Sequence, residues 1–428
     1  MGRTIIEKIL SRACGQEVVA GEIHNAKIDK MMTMDFLGPI AFKQFEKLET
    51  TKIYDPEMLV LVQDHLVPGH NLKDAEILKQ FRDFAAKYKL PNFYEIGRHG
   101  ICHQMMIENG YCLPDKVVVG TDSHATTYGA AGCFNCGVST TEAAVIMATG
   151  AVWFRIPDSI KIELTGNLPF GVRGKDVSLK IMNILGYDKE ALYKAIEFSG
   201  DGLKSLDMSD RITLANMMAE TGAKSAIIPA DEITFKYLRS IGANLSEYEN
   251  YELLKSDNDA KYEAVHTIDL SELTPTVAAP HSSANIKTAE ELEGTRINHV
   301  FIGSCTNGRL DDIEVAARIL KGHKIPNNIR MVLVPASQKI FLDSVKLGYV
   351  EALVEAGAIF ETSSCAACAA LHTGILPSEE VAISTTNRNF KGRMGHPTSS
   401  VYLASAATAA ATARAGYITD PRKYLSEN

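Results

Sequence analysis

The chain has 428 residues, 46% hydrophobic and 22% charged, with a formal net charge of −8. That length exceeds one ordinary hydrophobic core and predicts two or three domains. The charge, with no Lys/Arg run to offset it, argues against nucleic acid as a partner but not against a small anionic substrate, because a few arginines can make one pocket positive on an acidic protein.

Met1-Gly2-Arg3-Thr4-Ile5-Ile6 leads into a charged helical stretch without the apolar core of a secretory signal. Ile6 also breaks the myristoylation pattern. The expected location is the cytoplasm, with no membrane partner. Eight cysteines in such a chain read as metal ligands or small buried residues rather than a disulfide framework.

Several short apolar runs each end in a polar or cysteine cluster. Met58-Leu59-Val60-Leu61-Val62 ends in Gln63-Asp64-His65, and Lys116-Val117-Val118-Val119 in Gly120-Thr121-Asp122-Ser123-His124. His299-Val300-Phe301-Ile302 runs into Gly303-Ser304-Cys305. Ala358-Ile359-Phe360 precedes Ser363-Ser364-Cys365, and Val381-Ala382-Ile383 precedes Thr386-Asn387-Arg388. Nearly continuous apolar runs predict strands buried on both faces of parallel sheets. Helices are predicted to follow at Glu142 to Thr149 and Asp311 to Leu320. The alternation predicts an α/β fold. In open parallel sheets ligands bind beyond the carboxyl ends of the strands, where all these clusters would sit. One such cluster alone is as readily an ordinary solvated loop; five in equivalent places predict one site.

Pro275, Pro280, Ser282 and Ser283 interrupt the pattern between Leu270 and Thr295, which predicts a boundary. The domains expected are 1–275, carrying the Asp/His clusters, and 290–428, carrying the cysteines. Val401 to Ala413, mainly Ala, Ser and Thr, reads as a closely packed helix, too short and too weakly apolar to span a bilayer.

Cys365-Ala366-Ala367-Cys368 is a thiolate pair able to grip one metal centre, and Cys305 lies earlier in a strand-end turn. Three thiolates suit a cubane cluster in which one iron lacks a protein ligand and can act as a Lewis acid. His372, spaced from Cys368 by three residues, keeps a structural Cys3His zinc site open. Cys14, Cys102, Cys112, Cys133 and Cys136 read as small buried fillers, although Cys133 and Cys136 share the two-residue spacing.

Gly303-Ser304-Cys305-Thr306-Asn307-Gly308-Arg309, the Cys365/Cys368 pair and Asn387-Arg388-Asn389-Phe390-Lys391-Gly392-Arg393 resemble, in order and spacing, motifs of the aconitase superfamily. His103-Gln104, Asp122-Ser123-His124 and Ala195-Ile196-Glu197 add to the match, which covers nearly the whole chain. The chain most resembles the branch formed by large subunits of 3-isopropylmalate dehydratase and homoaconitase. The resemblance implies three-layer α/β/α domains around a central [4Fe–4S] cleft, with the cluster held by Cys305, Cys365 and Cys368. It also implies catalytic pairs His65 with Asp64, His103 with Asp122, and His124 with Glu197, with His65 as the acid. A carboxylate partner fixes an imidazole's tautomer and raises its basicity. Ser123, Arg309, Asn387, Arg388 and Arg393 are the implied substrate contacts, since paired guanidinium donors suit a small dicarboxylate.

The sequence departs from the branch at Ala366-Ala367, where a Gly-Pro is common, and at Ala125-Thr126-Thr127-Tyr128. These departures bear on the substrate. 3-Isopropylmalate ranks first, followed by 2,3-dimethylmalate or another methylated malate, and homocitrate and citrate come lower. The swivelling fourth domain of full-length aconitases, with its serine base, has no counterpart after Arg393. A small subunit is therefore expected to supply it in a heterodimer or larger assembly. A different class, an RNA-binding regulator related to aconitase, is disfavoured by the acidic charge.

Overall fold

In the computed structural model, which describes residues 2–48, 50, 52–248 and 254–425, the chain forms two units. Met1–Thr165 with Asp188–Ile268 make the first, and Gly166–Tyr187 with Asp269–Asn428 the second. The second unit thus takes in a helical excursion, Gly174–Leu185, from within residues 1–275. Thr276 donates its backbone N–H to Asp176 at 2.7 Å, anchoring that helix to the second unit's own strand.

The first unit is built on a five-stranded parallel sheet in the order Phe93–Tyr94, Leu59–Val62, Lys30–Met34, Val117–Gly120, Phe134–Gly137. Leu59, Val60, Leu61 and Val62 are all buried. Each such side chain adds about 1.5–3 kcal/mol by leaving water, which explains why the run carries no alternation. Because the strands are parallel, Asp35, Asp64 and Asp122 all emerge at one edge. A second sheet pairs Ser159–Thr165, Ala195–Ser199 and Ser225–Ile227 in parallel. Helix Thr140–Thr149 starts at a reciprocal cap between Ser139 and Glu142.

The second unit holds a seven-stranded sheet. Its parallel core runs Ser400–Leu403, Val381–Ser384, His299–Ile302, Arg330–Leu333, Ile359–Phe360. The loops after His299–Ile302, Ile359–Phe360 and Val381–Ser384 carry Cys305, Cys365 and Asn387 respectively.

Two expectations change. The segment around Pro275 and Pro280 is an antiparallel hairpin, Thr276–Ala278 with Ile286–Thr288, at the sheet's edge. Proline is tolerated there because it interrupts no central ladder. The low-charge stretch from Val401 is a strand to Leu403, and the helix begins only at Ala406, capped by Ser405. Val401 and Leu403 bury themselves on a parallel neighbour, and packing overrides the composition. Among the described residues no helix is long and apolar enough to cross a membrane.

Candidate active site

In the first unit the strand-end carboxylates gather three imidazoles. Asp64 Oδ1 lies 2.7 Å from His65 Nδ1, and its Oδ2 accepts the Cys102 backbone N–H at 2.7 Å. That second bond ties the start of helix Cys102–Glu108 to the strand end and sets His103 beside the cluster. His103 Nε2 lies 2.8 Å from Asp122 Oδ1, which also accepts the His124 backbone N–H at 2.8 Å. Asp122 Oδ2 is 4.0 Å from His65 Nε2, so one carboxylate faces all three rings. Ser123 is exposed beside them.

The expected partner of His124 is corrected. His124 Nε2 pairs with Glu220 Oε1 at 2.8 Å. Glu197 instead accepts hydrogen bonds from Ser256, Tyr262 and Ser159 and lines a separate pocket of 460 Å³. Residues alternate faces along a strand, and Glu197 points to the face of Ala195–Ser199 that meets the N-terminal helix, where it also accepts the Ile6 N–H. Glu220 follows a helix in a short 3₁₀ turn with no recognisable spacing to His124, so the sequence offered no signal for it.

Sequence reasoning also passed over Asp35. It is fully buried and accepts the backbone N–H groups of His65 and Leu66, both at 3.0 Å. Burial and the neighbouring Asp64 charge push its carboxyl up to about 7. Burial alone would depress His65, but Asp64, through charge and hydrogen bond, and then Asp35 and Asp122 push it up to about 10. The ring is therefore an imidazolium at neutral pH, the state a general acid needs. Its contribution to stability is complete below about pH 6.5 and is lost as pH rises toward about 10. The stability gap between the wild type and a His65→Gln variant, read from urea unfolding, should narrow over that window. A gap that widens would refute the assignment.

Ala125 and Tyr128, which bear on substrate choice in the sequence, are both fully buried among Met32, Val118 and Cys112. They pack behind the imidazoles, the Tyr128 hydroxyl lying 3.1 Å from His103 Nδ1.

In the second unit Asn387 stands between two of the cysteines. Its Nδ2 donates to Cys305 Sγ at 3.5 Å, and the Cys368 thiol donates to its Oδ1 at 3.5 Å. Cys365 and Cys368 share one 3₁₀ turn, the Cys368 N–H donating to the Cys365 carbonyl at 3.2 Å. The backbone is strained on both sides: Ser304 has φ 76° and Ala366 has φ 48°, left-handed values that cost non-glycine residues about 1–2 kcal/mol. Such strain gathers where a loop must present a ligand. Gly308 removes one obstacle, since a Cβ there would come within 2.6 Å of the Val334 carbonyl.

Arg393 donates to Cys368 Sγ at 3.8 Å and lies over the Phe390 ring, and Arg388 is half-buried nearby in sequence. Arg309 is buried and donates to the Thr306 carbonyl, so it braces the loop that carries Cys305. Lys175, unnoticed in the sequence, is also buried and donates to the carbonyls of Thr385 and Thr386, at 2.9 and 2.7 Å. It clamps the backbone that leads into Asn387.

The donor set separates the metal alternatives. A single tetrahedral zinc draws its ligand atoms to about 2.0–2.3 Å of one point. Among the described residues, Cys305, Cys365, Cys368 and His372 form no group whose ligand atoms lie within 4.8 Å of one another. His372 Nδ1 lies 3.2 Å from Thr373 Oγ1. A cluster binds each cysteine to a different iron, so its thiolates need not converge on one atom. Three thiols on two separate loops fit the demands of such a cluster.

A profile of the aconitase family (aconitate hydratase) matches residues 7–288 and 282–416. Fold and site together define an enzyme of the hydro-lyase class, and the chain belongs to the aconitase family. Family membership implies an iron–sulfur centre. The 3-isopropylmalate dehydratase large subunit of Caldanaerobacter subterraneus subsp. tengcongensis is 46% identical over 423 residues, 99% of this chain and 100% of the relative. The 3-isopropylmalate dehydratase large subunit 1 of Methanopyrus kandleri is 44% identical over 425 residues, again 99% and 100%. The holo-form of aconitase X from Thermococcus kodakaraensis shares the fold, with a TM-score of 0.52 over 90% of this chain and 89% of that one, at 12% identity.

Proposed function

We propose that this chain is the large subunit of a [4Fe–4S] hydro-lyase that dehydrates and isomerises a malate-type 2-hydroxy dicarboxylate, with 3-isopropylmalate the first choice. The observation that carries the reading is the Asp122-centred cluster of three imidazoles, each with a carboxylate partner, at the carboxyl edge of one sheet. Full-length relatives named for 3-isopropylmalate dehydration support the substrate. The burial of Ala125 and Tyr128 withdraws the reason for ranking methylated malates close behind.

Cys305, Cys365 and Cys368 would hold the cluster, which supplies a Lewis acid for the substrate's hydroxyl and carboxylate. His65 then delivers the proton that lets hydroxide depart as water, and Asp64 holds its ring in place. Arg388 and Arg393 bind carboxylate, Asn387 places the thiols, and Ser123 stands exposed for contact. No base for the carbon-bound proton has been placed among these residues. A small subunit carrying the mobile lobe would supply it and exclude water, as the large-subunit names of the relatives suggest.

The test is turnover by the cluster-loaded chain with and without the co-encoded small subunit, followed by ultraviolet absorbance of the unsaturated acid. Conversion of 3-isopropylmalate by the pair, and none by the chain alone, is expected. Conversion of citrate alone would overturn the substrate, and full-rate turnover by the isolated chain would overturn the partner.

A further inference from the structure

Tyr128 is buried, and its hydroxyl is held in one place. The ring is fully buried in an apolar cluster, and its hydroxyl lies 3.1 Å from His103 Nδ1. Among the described residues it meets no other hydrogen-bond partner. A Cβ on Gly120 would come within 2.8 Å of that oxygen, so the strand backbone holds it from behind. The Cys133 thiol donates to the Tyr128 backbone carbonyl at 3.0 Å, a contact that does not involve the hydroxyl.

Burial pushes the phenol well above its ordinary value, so it keeps its proton. On the far side of the His103 ring, Nε2 faces Asp122. Burial opposes ionisation of Asp122, but hydrogen bonds from His103 and His124 outweigh it and hold the carboxyl well below its usual range. The imidazole therefore sits between a carboxylate that can only accept and a hydroxyl whose proton has no other acceptor at hand. One arrangement satisfies both: N–H at Nε2 donating to Asp122, and a lone pair at Nδ1 accepting from Tyr128.

We propose that Tyr128 is a positioning residue that fixes the tautomer of His103, commits both its ring nitrogens, and so leaves proton delivery to His65. His103 then orients Asp122 and takes no part as a proton donor. The proposal rests on the hydro-lyase reading of this cluster, and its test separates the two.

Neutron diffraction from deuterated crystals of the complex with the small subunit should show deuterium on His103 Nε2, none on Nδ1, and the Tyr128 O–D aimed at Nδ1. Deuterium on Nδ1, or a phenol aimed elsewhere, overturns the proposal whatever the substrate proves to be. Tyr128→Phe keeps the ring and removes the donor. Its kcat should fall about tenfold, with KM changed by no more than about twofold, because the lost contact acts on the chemistry and not on ground-state binding. Cys133→Ala disturbs the packing of Tyr128 but leaves its hydroxyl, and should keep wild-type kcat. Full activity in a folded Tyr128→Phe chain, or an equal loss in Cys133→Ala, overturns the proposal. If Tyr128→Phe does not fold, the neutron map of the wild type decides alone. Failure of the hydro-lyase reading would look different: no turnover of any malate-type acid, with the deuterium still on Nε2.

Discussion

Exchanging Asp122 for Asn is expected to lower kcat by about a thousandfold while leaving the chain folded. Asn keeps the shape of the side chain and can still accept one hydrogen bond. It loses the charge that sits 2.8 Å from His103 Nε2 and 4.0 Å from His65 Nε2. Asp122 is one of the charges that raise His65 to about 10, so its removal lowers that value and weakens the acid's hold on its proton. An amide turned the other way would point N–H at N–H, and the His124 backbone donor would lose its acceptor. The measurement is steady-state kinetics at matched iron and sulfide content. A loss under tenfold would remove Asp122 from the centre of the acid–base cluster.

Replacing Cys305, Cys365 or Cys368 by Ser, one at a time, should leave a chain without acid-labile sulfide and without turnover. Serine is close in size, but its hydroxyl stays protonated where a thiol becomes the thiolate that iron binds. Two of the three thiols meet the Asn387 amide, and Cys365 shares its turn with Cys368, so loss of one leaves an incomplete cradle. The melting temperature of the metal-free chain should stay within about 2 °C of wild type, because these are loop residues beyond the sheet and serine nearly matches cysteine in volume. Cys133→Ala and Cys136→Ala should retain cluster and turnover. Stoichiometric zinc with no sulfide in the wild-type chain would refute the assignment.

Those residues were legible because parallel strands impose a rule. Once Leu59–Val62, Val117–Gly120 and His299–Ile302 are seen as buried runs, the residues after them must share an edge, and Asp64, Asp122 and Cys305 follow. Groups that act through the third dimension left no such mark. Glu220 reaches His124 across 96 positions and Lys175 reaches Thr385 across 210, and neither interval has a period. Glu197 shows the converse hazard, a motif residue whose strand face turns it away from the histidines. Tyr128 read as a substrate determinant because its segment departs from the branch the chain resembles, yet the fold buries it behind His103.

The cysteine loops rise from the rim of a sheet whose central strands, His299–Ile302 and Val381–Ser384, are already buried and paired on both sides. On the proposed assignment of Cys305, Cys365 and Cys368, losing the cluster would remove no strand of that sheet, and the left-handed turns at Ser304 and Ala366 belong to the chain itself. A damaged molecule should then be refilled with iron and sulfide rather than replaced.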